Sequence, residues 1–347
     1  MHRRAYVLLI GIAVLMSVSA VLTGVSLDKR VVDPDGFLGP SWSRLPILLM
    51  FAFLLDIGPR TVWVTRGRRA GMKQAALDRI RTHWTRDRIT LVVMGLVCFY
   101  LTYVSYRNLK SFLPEVTDAS YDRPLHQLDQ WLFFGHEPAV VLHNLLGEHL
   151  VAHLLSTVYL WFLPLVPLIV LVWVVWSRNI SFGYWMATAQ CLAWALGTAS
   201  YYALPTLGPG FEYSWLYSDL ANTGSSAVMD SLSYGRHNVI YGVAQDSVQS
   251  VAGFASLHCA ITMLVALMIQ YTVANRALRI AFWVNFAVTF VATLYFGWHY
   301  IADDIAGCAI ALVSFYVAGV ASGQKFDRRG LASHPTTTSA LVPVADD

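Results

Sequence analysis

Residues 295–307 read YFGWHYIADDIAG and place ionisable groups at the start of an otherwise apolar segment. His299 and Asp303 stand four residues apart in this stretch. In a helix this spacing puts both side chains on one face, where the carboxylate can accept a hydrogen bond from one imidazole nitrogen and orient the other. The stretch therefore predicts a histidine that is prepared to act as a base or a nucleophile at one end of a membrane helix.

A second apolar segment opens in a similar way with GFASLHCAITMLVALMI from Gly253, which carries Ser256 and His258 near its start. Ionisable residues at the edge of a membrane core are costly and usually functional. The two histidines therefore predict one shared site. For His299 and Asp303 the alternative is an interfacial pair that only ties two helices together.

The composition of the 347 residues is that of a membrane protein. Hydrophobic residues make up 56% and charged residues 13% of the chain, and the mean hydropathy is +0.52. These values are typical of a polytopic membrane protein rather than a soluble one. The net charge of +3 gives no indication of a nucleic-acid partner, and none is expected. The four cysteines lie in apolar segments without a CxxC spacing, so neither a disulfide framework nor a zinc site is predicted.

The chain contains eight apolar segments of about 20 residues, the length that crosses the hydrocarbon core of a bilayer. Their limits are 5–25, 45–64, 89–106, 150–176, 184–204, 251–272, 280–297 and 300–322. The predicted fold is therefore an all-α, polytopic membrane helix bundle with about eight transmembrane helices.

The basic loop between the second and third spans divides this bundle. We predict an N-terminal transmembrane hairpin at 1–64, a basic cytoplasmic loop at 65–88, a six-span catalytic core at 89–322 and a disordered cytoplasmic tail at 323–347. The tail is rich in Ser, Thr and Pro, a composition that cannot bury enough apolar surface to fold.

Lysine and arginine bias predicts the orientation of the spans. The loop 65–88 holds eight basic residues, which marks it as cytoplasmic. Counting outward from this loop places both termini in the cytoplasm and brings His258 and His299 to the opposite face. We therefore expect an integral membrane protein of the plasma membrane with an extracytoplasmic active site.

The two histidine motifs carry a resemblance to a known family. SLH in one span and HxxxD at the start of another resemble the second and third motifs of the type 2 phosphatidic acid phosphatase superfamily, and GFASLH with GWHYIADDIAG is most similar to its inositol phosphorylceramide synthase (aureobasidin-resistance) branch. The resemblance implies metal-independent catalysis without a cofactor, through a phosphohistidine. It makes His299 the nucleophile, Asp303 its orienting carboxylate and His258 the general acid, and it places Ser256 against a phosphoryl oxygen.

The sequence departs from the superfamily pattern where that pattern supplies phosphate-binding cations. The first motif of the superfamily has a lysine, six further residues and then Arg-Pro, whereas residues 201–209 read YYALPTLGP, of which PTLGP resembles the PTxPP of the synthase branch. The arginine that stands six residues before the attacking histidine is Thr293 here, and Ala255 replaces the proline before Ser256. Positive charge must then come from elsewhere, or from the backbone amides and dipole at the start of the sixth span.

Three basic residues near the exit of the third span are candidates to bind the phosphate. Arg107 and Lys110 lie in SYRNLKSFLP, and Arg123 follows in YDRPLHQLDQW. Lysine is disfavoured in segments outside the cytoplasm, because basic residues collect on the cytoplasmic side of membrane proteins. A lysine at position 110 therefore indicates a specific role. The alternative for Arg107 and Lys110 is an interfacial anchor that snorkels to lipid headgroups. Arg236 and His237 in the long loop 205–250 are further candidates.

Four more histidines lie around the start of the fourth span, at His136, His143, His149 and His153. The last two are four apart, a spacing that could ligate a metal. Two ligands alone do not make a site, so an interfacial or acceptor-facing surface is the favoured interpretation, and no metal site is predicted.

The sequence predicts an integral membrane lipid phosphotransferase or lipid-phosphate phosphatase. Its expected partners are a lipid phosphate or phospholipid substrate, a hydroxyl acceptor or water, and the bilayer, and an inositol-phosphate-type headgroup is one candidate for the transferred group. The alternative is a non-enzymatic carrier, or a haem-binding membrane protein that uses intramembrane histidines as ligands.

Overall fold

The computed structural model of the protein describes residues 3–34, 41–177, 179–240, 251, 253–324 and 326. Within these ranges the regular structure is entirely helical, which confirms the predicted fold class. The predicted disordered tail lies almost wholly outside the described residues, as does the 241–250 part of the long loop. In chain order the helices are α1 Arg3–Ser26, α2 Ser41–Thr65, α3 Met72–His83, α4 Arg86–Val116, α5 Asp122–Leu132, α6 Pro138–Leu146, α7 Leu150–Trp176, α8 Ile180–Ala203, α9 Pro209–Glu212, a 3₁₀ turn at Ser214–Tyr217, α10 Gly224–Ile240, α11 Leu257–Thr272, α12 Arg276–Tyr295 and α13 Ile301–Ala321.

Each of the eight predicted spans coincides with a helix, and six of these helices are long and apolar enough to cross a membrane: α1, α2, α4, α7, α12 and α13. The other two depart from the expectation in different ways. α11 has 16 residues and begins at Leu257, later than the predicted start of its span. α8 has 24 residues but is not among the six. Both are packed inside the bundle, where neighbouring helices replace lipid.

Helix α8 lies at the centre of the bundle and packs against α1, α4, α7, α11 and α13. Trp185, Met186 and Gln190 on this helix are fully buried. A helix surrounded by protein does not need a continuous apolar surface, because its neighbours rather than lipid cover its polar groups. This explains how α8 can lie inside the bundle although it is not among the six helices that are apolar enough to cross a membrane.

Helix α4 is longer than its predicted span and continues to Val116. Leu109 and Leu113 in this extension are buried in the main core, and α4 packs along α1. Arg107 and Lys110 were expected at the exit of the span. They lie instead inside a continuous helix, which holds both side chains more firmly than a loop would.

The basic segment 65–88 contains helix α3, which packs against α2. Asp56 and Arg60 of α2 stand four residues apart in the sequence, a spacing that predicts an ion pair in which the two charges neutralise each other. The structure corrects this, because the Asp56 carboxylate accepts hydrogen bonds from Arg79 Nη2 at 2.5 Å, from Arg79 Nε at 3.0 Å and from Trp84 Nε1 at 3.1 Å. Arg60 is exposed.

Short helices cover the end of the bundle at which both histidine motifs lie. There α6 packs against α12, and α10 packs against α7. A small buried cluster that includes Tyr159, Tyr295, Phe296 and Trp298 lies beneath them. This cluster fixes the turn between α12 and α13, which carries His299.

Candidate active site

His299 lies in the turn that precedes α13, and Asp303 lies in the first turn of that helix. The two atoms His299 Nδ1 and Asp303 Oδ2 are 3.5 Å apart, and the side chains are 8% and 0% exposed. Asp303 Oδ2 also accepts a hydrogen bond from the Tyr300 amide at 3.0 Å, so this carboxylate binds the N–H of the residue that precedes α13. The predicted pairing is thus made from the turn before the helix, and not from two positions within the helix.

The two histidine motifs are joined through the backbone. The Ser256 N–H donates to the Asp303 carbonyl oxygen at 2.9 Å. Gly307, one turn further along α13, permits this approach, since a Cβ atom there would lie 2.3 Å from the Ser256 carbonyl oxygen. The start of α11 and the start of α13 are therefore held at backbone contact.

His258 occupies the first turn of α11 and lies against aromatic rings. Its ring stacks on Tyr159 with centroids 4.2 Å apart and planes at 14°, and the Phe162 centroid is 4.0 Å away. His258 Nδ1 is 3.5 Å from the Tyr159 hydroxyl. The His258 and His299 ring centroids are 6.3 Å apart, so a group of phosphate size between them could contact both rings.

Ser256 has a different position from the one that the resemblance implies. It is the N-cap residue of α11, and its hydroxyl oxygen accepts a hydrogen bond from the Cys259 amide at 3.3 Å. The residue is fully buried and does not line the cavity described next. Its side chain stabilises the first turn of the helix that carries His258.

A cavity of about 320 Å³ opens in front of both histidines. Its walls come from α2, α4, α7, α8, α10 and α11 and are mainly apolar and aromatic. Residues such as Leu45, Phe99, Leu163 and Val166 form these walls. A concave, mostly apolar space with a few converging polar groups is typical of a small-molecule or lipid site.

Lys110 and Arg107, two of the predicted phosphate-binding residues, line this cavity. Lys110 Nζ is 5.9 Å from the ring centroid of Tyr106 and 5.6 Å from that of Tyr201, within range of cation–π attraction. Arg107 Nη1 donates to the Tyr103 hydroxyl at 3.2 Å. Aromatic neighbours thus hold both cations on the same side of the cavity.

The remaining predicted cations lie elsewhere. Arg123, in the first turn of α5, is exposed and does not line the cavity. Arg236 and His237 belong to α10 and do not line it either. Burial lowers the pKa of the Arg236 guanidinium from its usual value.

Sequence reasoning missed Arg44, which lines the cavity from α2. Its Nη2 donates to the Pro34 carbonyl oxygen at 3.3 Å. The signal that singled out Lys110, a basic residue at the outward end of a span, also applied to Arg44 in SWSRLP. Arg44 belongs to the N-terminal hairpin, which the sequence predicts as a unit separate from the six-span catalytic core.

Thr293 stands where the superfamily has an arginine, and it takes up a structural contact. Its hydroxyl donates to Asp304 Oδ2 at 2.7 Å, and Cys259 Sγ lies 3.0 Å from Asp304 Oδ1. Asp304 is fully buried and joins α11, α12 and α13. A buried carboxylate with several donors needs no cation beside it.

Two further carboxylates near the site had not been singled out, Asp122 and Asp129. They are seven residues apart on one face of α5, and both are buried. Asp129 accepts hydrogen bonds from the Ile301 amide at 3.2 Å and 3.3 Å, and burial raises its pKa to about 7. The sequence YDRPLHQLDQW could have identified both residues, because its two acidic residues stand seven positions apart and so share one face of a helix.

The four other histidines do not come together. His136, His149 and His153 are exposed, whereas the buried His143 Nε2 donates to the Tyr295 carbonyl oxygen at 2.8 Å. Over the described ranges, no group of three or more His, Cys, Asp or Glu side chains is placed to hold a metal ion.

Comparison with known families supports the superfamily that these motifs resemble, but does not identify a branch within it. The family model of the PAP2 superfamily matches residues 123–317, more than half of the chain. No curated protein and no solved structure matches the chain. The matched region contains both histidine motifs, whereas Arg44, Arg107 and Lys110 precede it. The match supports chemistry of the lipid phosphatase or phosphotransferase type in a membrane setting, and by this match the chain belongs to the PAP2 superfamily.

Proposed function

We propose that the protein is an integral membrane lipid phosphotransferase or lipid-phosphate phosphatase that works through a phosphohistidine on His299. The observation that carries the proposal is that His258 and His299 share one cavity with Arg107 and Lys110. Two histidines provide a nucleophile and a proton donor, and the cations provide attraction for an anionic group.

In the first half of the reaction, His299 Nε2 attacks the phosphorus atom while the bond to the leaving oxygen breaks. Asp303 faces Nδ1 and favours the tautomer that leaves Nε2 unprotonated. His258 gives its proton to the leaving oxygen. In the second half, water or a hydroxyl group attacks the phosphohistidine, its proton passes to His258, and the bond between phosphorus and Nε2 breaks.

The charge that develops on the phosphoryl oxygens needs stabilisation in both halves. We assign this role to Lys110, Arg107 and Arg44 together with the Leu257 and His258 amides at the start of α11, whose N–H groups have no carbonyl partner within the helix. The Ser256 hydroxyl is engaged as the helix cap, so Ser256 would act mainly by fixing the direction of those amides.

The apolar walls support a lipid as the carrier of the phosphate. Leu45 and Leu48 of α2 line the cavity together with Leu163 and Val166 of α7, and such walls suit an acyl or polyprenyl chain. We therefore assign the N-terminal hairpin a share in substrate binding beside the six-span core. The PTLGP segment favours transfer to a hydroxyl acceptor, with an inositol-phosphate-type headgroup as one candidate.

The proposed location is the plasma membrane, with the active site on the extracytoplasmic side and both termini in the cytoplasm. Its support is the concentration of basic residues in 65–88 and the position of both histidine motifs at the opposite end of the bundle.

Turnover of a lipid panel by the purified protein tests the proposal. The panel contains phosphatidic acid, a polyprenyl diphosphate and phosphatidylinositol, each with and without an alcohol acceptor and each in the presence of EDTA. We expect turnover of at least one lipid, an acid-labile phosphoprotein in quenched reactions, and loss of both in His299→Ala. His153→Ala is the matched control, since His153 is exposed and lies outside the cavity.

Retained turnover in His299→Ala would overturn the assignment. An absorption spectrum separates the alternative class, because a haem protein with histidine ligands shows a Soret band and a phosphohistidine enzyme does not. A Soret band without turnover of the panel would support that alternative.

A further inference from the structure

Asp122, the first residue of α5, lies at the centre of a buried hydrogen-bond network. The residue is 1% exposed. Its Oδ1 accepts from the Gly208 amide at 2.9 Å and from the Tyr300 hydroxyl at 3.0 Å, and the Leu207 amide lies 3.0 Å from both carboxylate oxygens. The Ser120 hydroxyl donates to Oδ2 at 2.8 Å. One carboxylate therefore binds donors from three separate segments of the chain.

Two of these segments belong to the candidate site. Leu207 lines the cavity, and Tyr300 directly follows His299. The Tyr300 amide in turn donates to Asp303 Oδ2 at 3.0 Å. The hydroxyl of Tyr300 thus reaches Asp122 while its backbone reaches the carboxylate that faces His299.

The segment around Gly208 also packs directly on the turn that carries His299. Gly208 has a φ of 98°, and a Cβ atom there would lie 2.5 Å from the Trp298 carbonyl oxygen. The Gly210 amide donates to the Gly297 carbonyl oxygen at 2.7 Å. Asp122 therefore holds two backbone segments that are already in contact, and the turn with His299 is one of them.

The chemistry of this network requires a carboxylate. All of its donors are N–H or O–H groups, and an ionised carboxylate offers only acceptors to them. Hydrogen bonds to a charged acceptor are about twice as strong as neutral ones. An amide at this position would turn one acceptor into an NH₂ group that faces other donors, and a buried donor without an acceptor is costly.

We propose that Asp122 is a positioning residue for the reaction, because its carboxylate ties the backbone at Leu207 and Gly208 to Tyr300 and so fixes His299 towards the cavity. The inference rests on the proposed function of His299. It assigns Asp122 no contact with the substrate. The effect should appear in the chemical step, since a small displacement of a nucleophile can lower the rate by about a hundredfold.

Steady-state kinetics of Asp122→Asn and Tyr300→Phe test this proposal with a lipid that the unsubstituted protein turns over. We expect Asp122→Asn to lower kcat by about tenfold to a hundredfold with KM within about threefold of its original value. Tyr300→Phe, which removes one of the donors without a change of shape, should lower kcat by a smaller factor. It keeps the test informative if Asp122→Asn does not fold.

Asp56→Asn is the matched control, because Asp56 is a buried carboxylate with several donors on a part of α2 that does not line the cavity. We expect it to lower the melting temperature and to leave kcat of the folded protein unchanged. An unchanged kcat in both Asp122→Asn and Tyr300→Phe would overturn the positioning role while the proposed function stands. If the unsubstituted protein turned over no lipid, as is expected of His299→Ala, both the proposed function and the positioning role of Asp122 would be overturned.

Discussion

The Ser256 N–H donates to the carbonyl oxygen of Asp303 across 2.9 Å, and this bond joins the two histidine motifs. His258 lies two residues after the donor and His299 four residues before the acceptor. The distance between the two imidazole rings is therefore set by a backbone contact between α11 and α13. Side-chain changes in the cavity should alter the chemistry without moving the histidines apart.

Gly307→Ala tests this contact. The added Cβ would meet the Ser256 carbonyl oxygen at 2.3 Å, so α11 and α13 must separate. We expect the free energy of unfolding to fall by about 1–3 kcal/mol, as for other overpacked interiors. Gly11→Ala is the control, since a Cβ at Gly11 has nothing within 4 Å and a helix favours alanine over glycine by up to about 1 kcal/mol. Equal stability of both variants in a denaturant titration would contradict the prediction.

Asp303→Asn should lower kcat while His299→Ala and His258→Ala remove turnover. The asparagine NH₂ group can donate to Nδ1 of His299, which favours the tautomer with the proton on Nε2 and blocks attack. The residual rate should exceed that of His299→Ala by about tenfold or more, because an orienting group contributes less than the nucleophile. A rate for Asp303→Asn equal to that of the unsubstituted protein would remove Asp303 from the mechanism.

Lys110→Gln, Arg107→Gln and Arg44→Gln should each lower kcat/KM more than they change KM. In a site that excludes water, one cation or hydrogen-bond donor that contacts the charge of the transition state stabilises it by about 3 kcal/mol, or roughly a hundredfold in rate. Interfacial anchors would instead change expression and leave specific activity intact.

Arg60→Gln is the control for these cations, because Arg60 lies on the same helix as Arg44 but is exposed and outside the cavity. Arg123→Gln is a further test. The sequence predicts that this variant lowers kcat/KM, whereas the exposed position of Arg123 outside the cavity predicts a small effect. Kinetics equal to those of Arg60→Gln in all three cavity variants would leave phosphate binding to the α11 amides.

Asp129→Asn should change the pH dependence of stability. Burial, with a contribution from neighbouring carboxylates, raises the pKa of Asp129 to about 7. The folded protein therefore binds this proton more tightly than the unfolded chain, whose Asp pKa is about 3.9. The contribution of Asp129 to the free energy of unfolding falls as the pH rises from about 4 to about 7 and stays low above that range.

Asparagine does not titrate and can still accept from the Ile301 amide through its oxygen. The stability of Asp129→Asn relative to the unsubstituted protein should thus be greater at pH 8 than at pH 5, as measured by denaturant midpoints at the two pH values. If the difference in stability between the two proteins were the same at pH 5 and pH 8, Asp129 would not titrate between these pH values.

Labelling of single cysteines tests the proposed orientation. In a background without native cysteines, Trp215→Cys and Tyr234→Cys should react with an impermeant thiol reagent added outside cells, because both positions are exposed on the histidine side of the bundle. Lys73→Cys, on the exposed face of α3, should react only after the membrane is opened. The reverse pattern would place the active site in the cytoplasm.

The sequence alone determined the fold class and the helices of the eight spans. Twenty apolar residues in a bilayer have few structures other than a helix, because every backbone group must be paired internally. The spacing of His299 and Asp303 and the SLH motif also predicted a shared site, since ionisable groups at the end of a span are too costly to be incidental. The sequence pattern was therefore sufficient to predict His258 and His299 as residues of one site.

Only the tertiary structure decided which other groups surround those histidines. Arg44 comes from a hairpin that precedes the family match, and Asp122 accepts hydrogen bonds from segments that are far apart in the chain, so no local pattern links either to His299. Ser256 was assigned to the phosphate by motif, yet its hydroxyl is engaged by the Cys259 amide as a helix cap. Hydrogen-bond partners of buried polar groups depend on which helices pack together, and packing is a property of the whole bundle rather than of any one span.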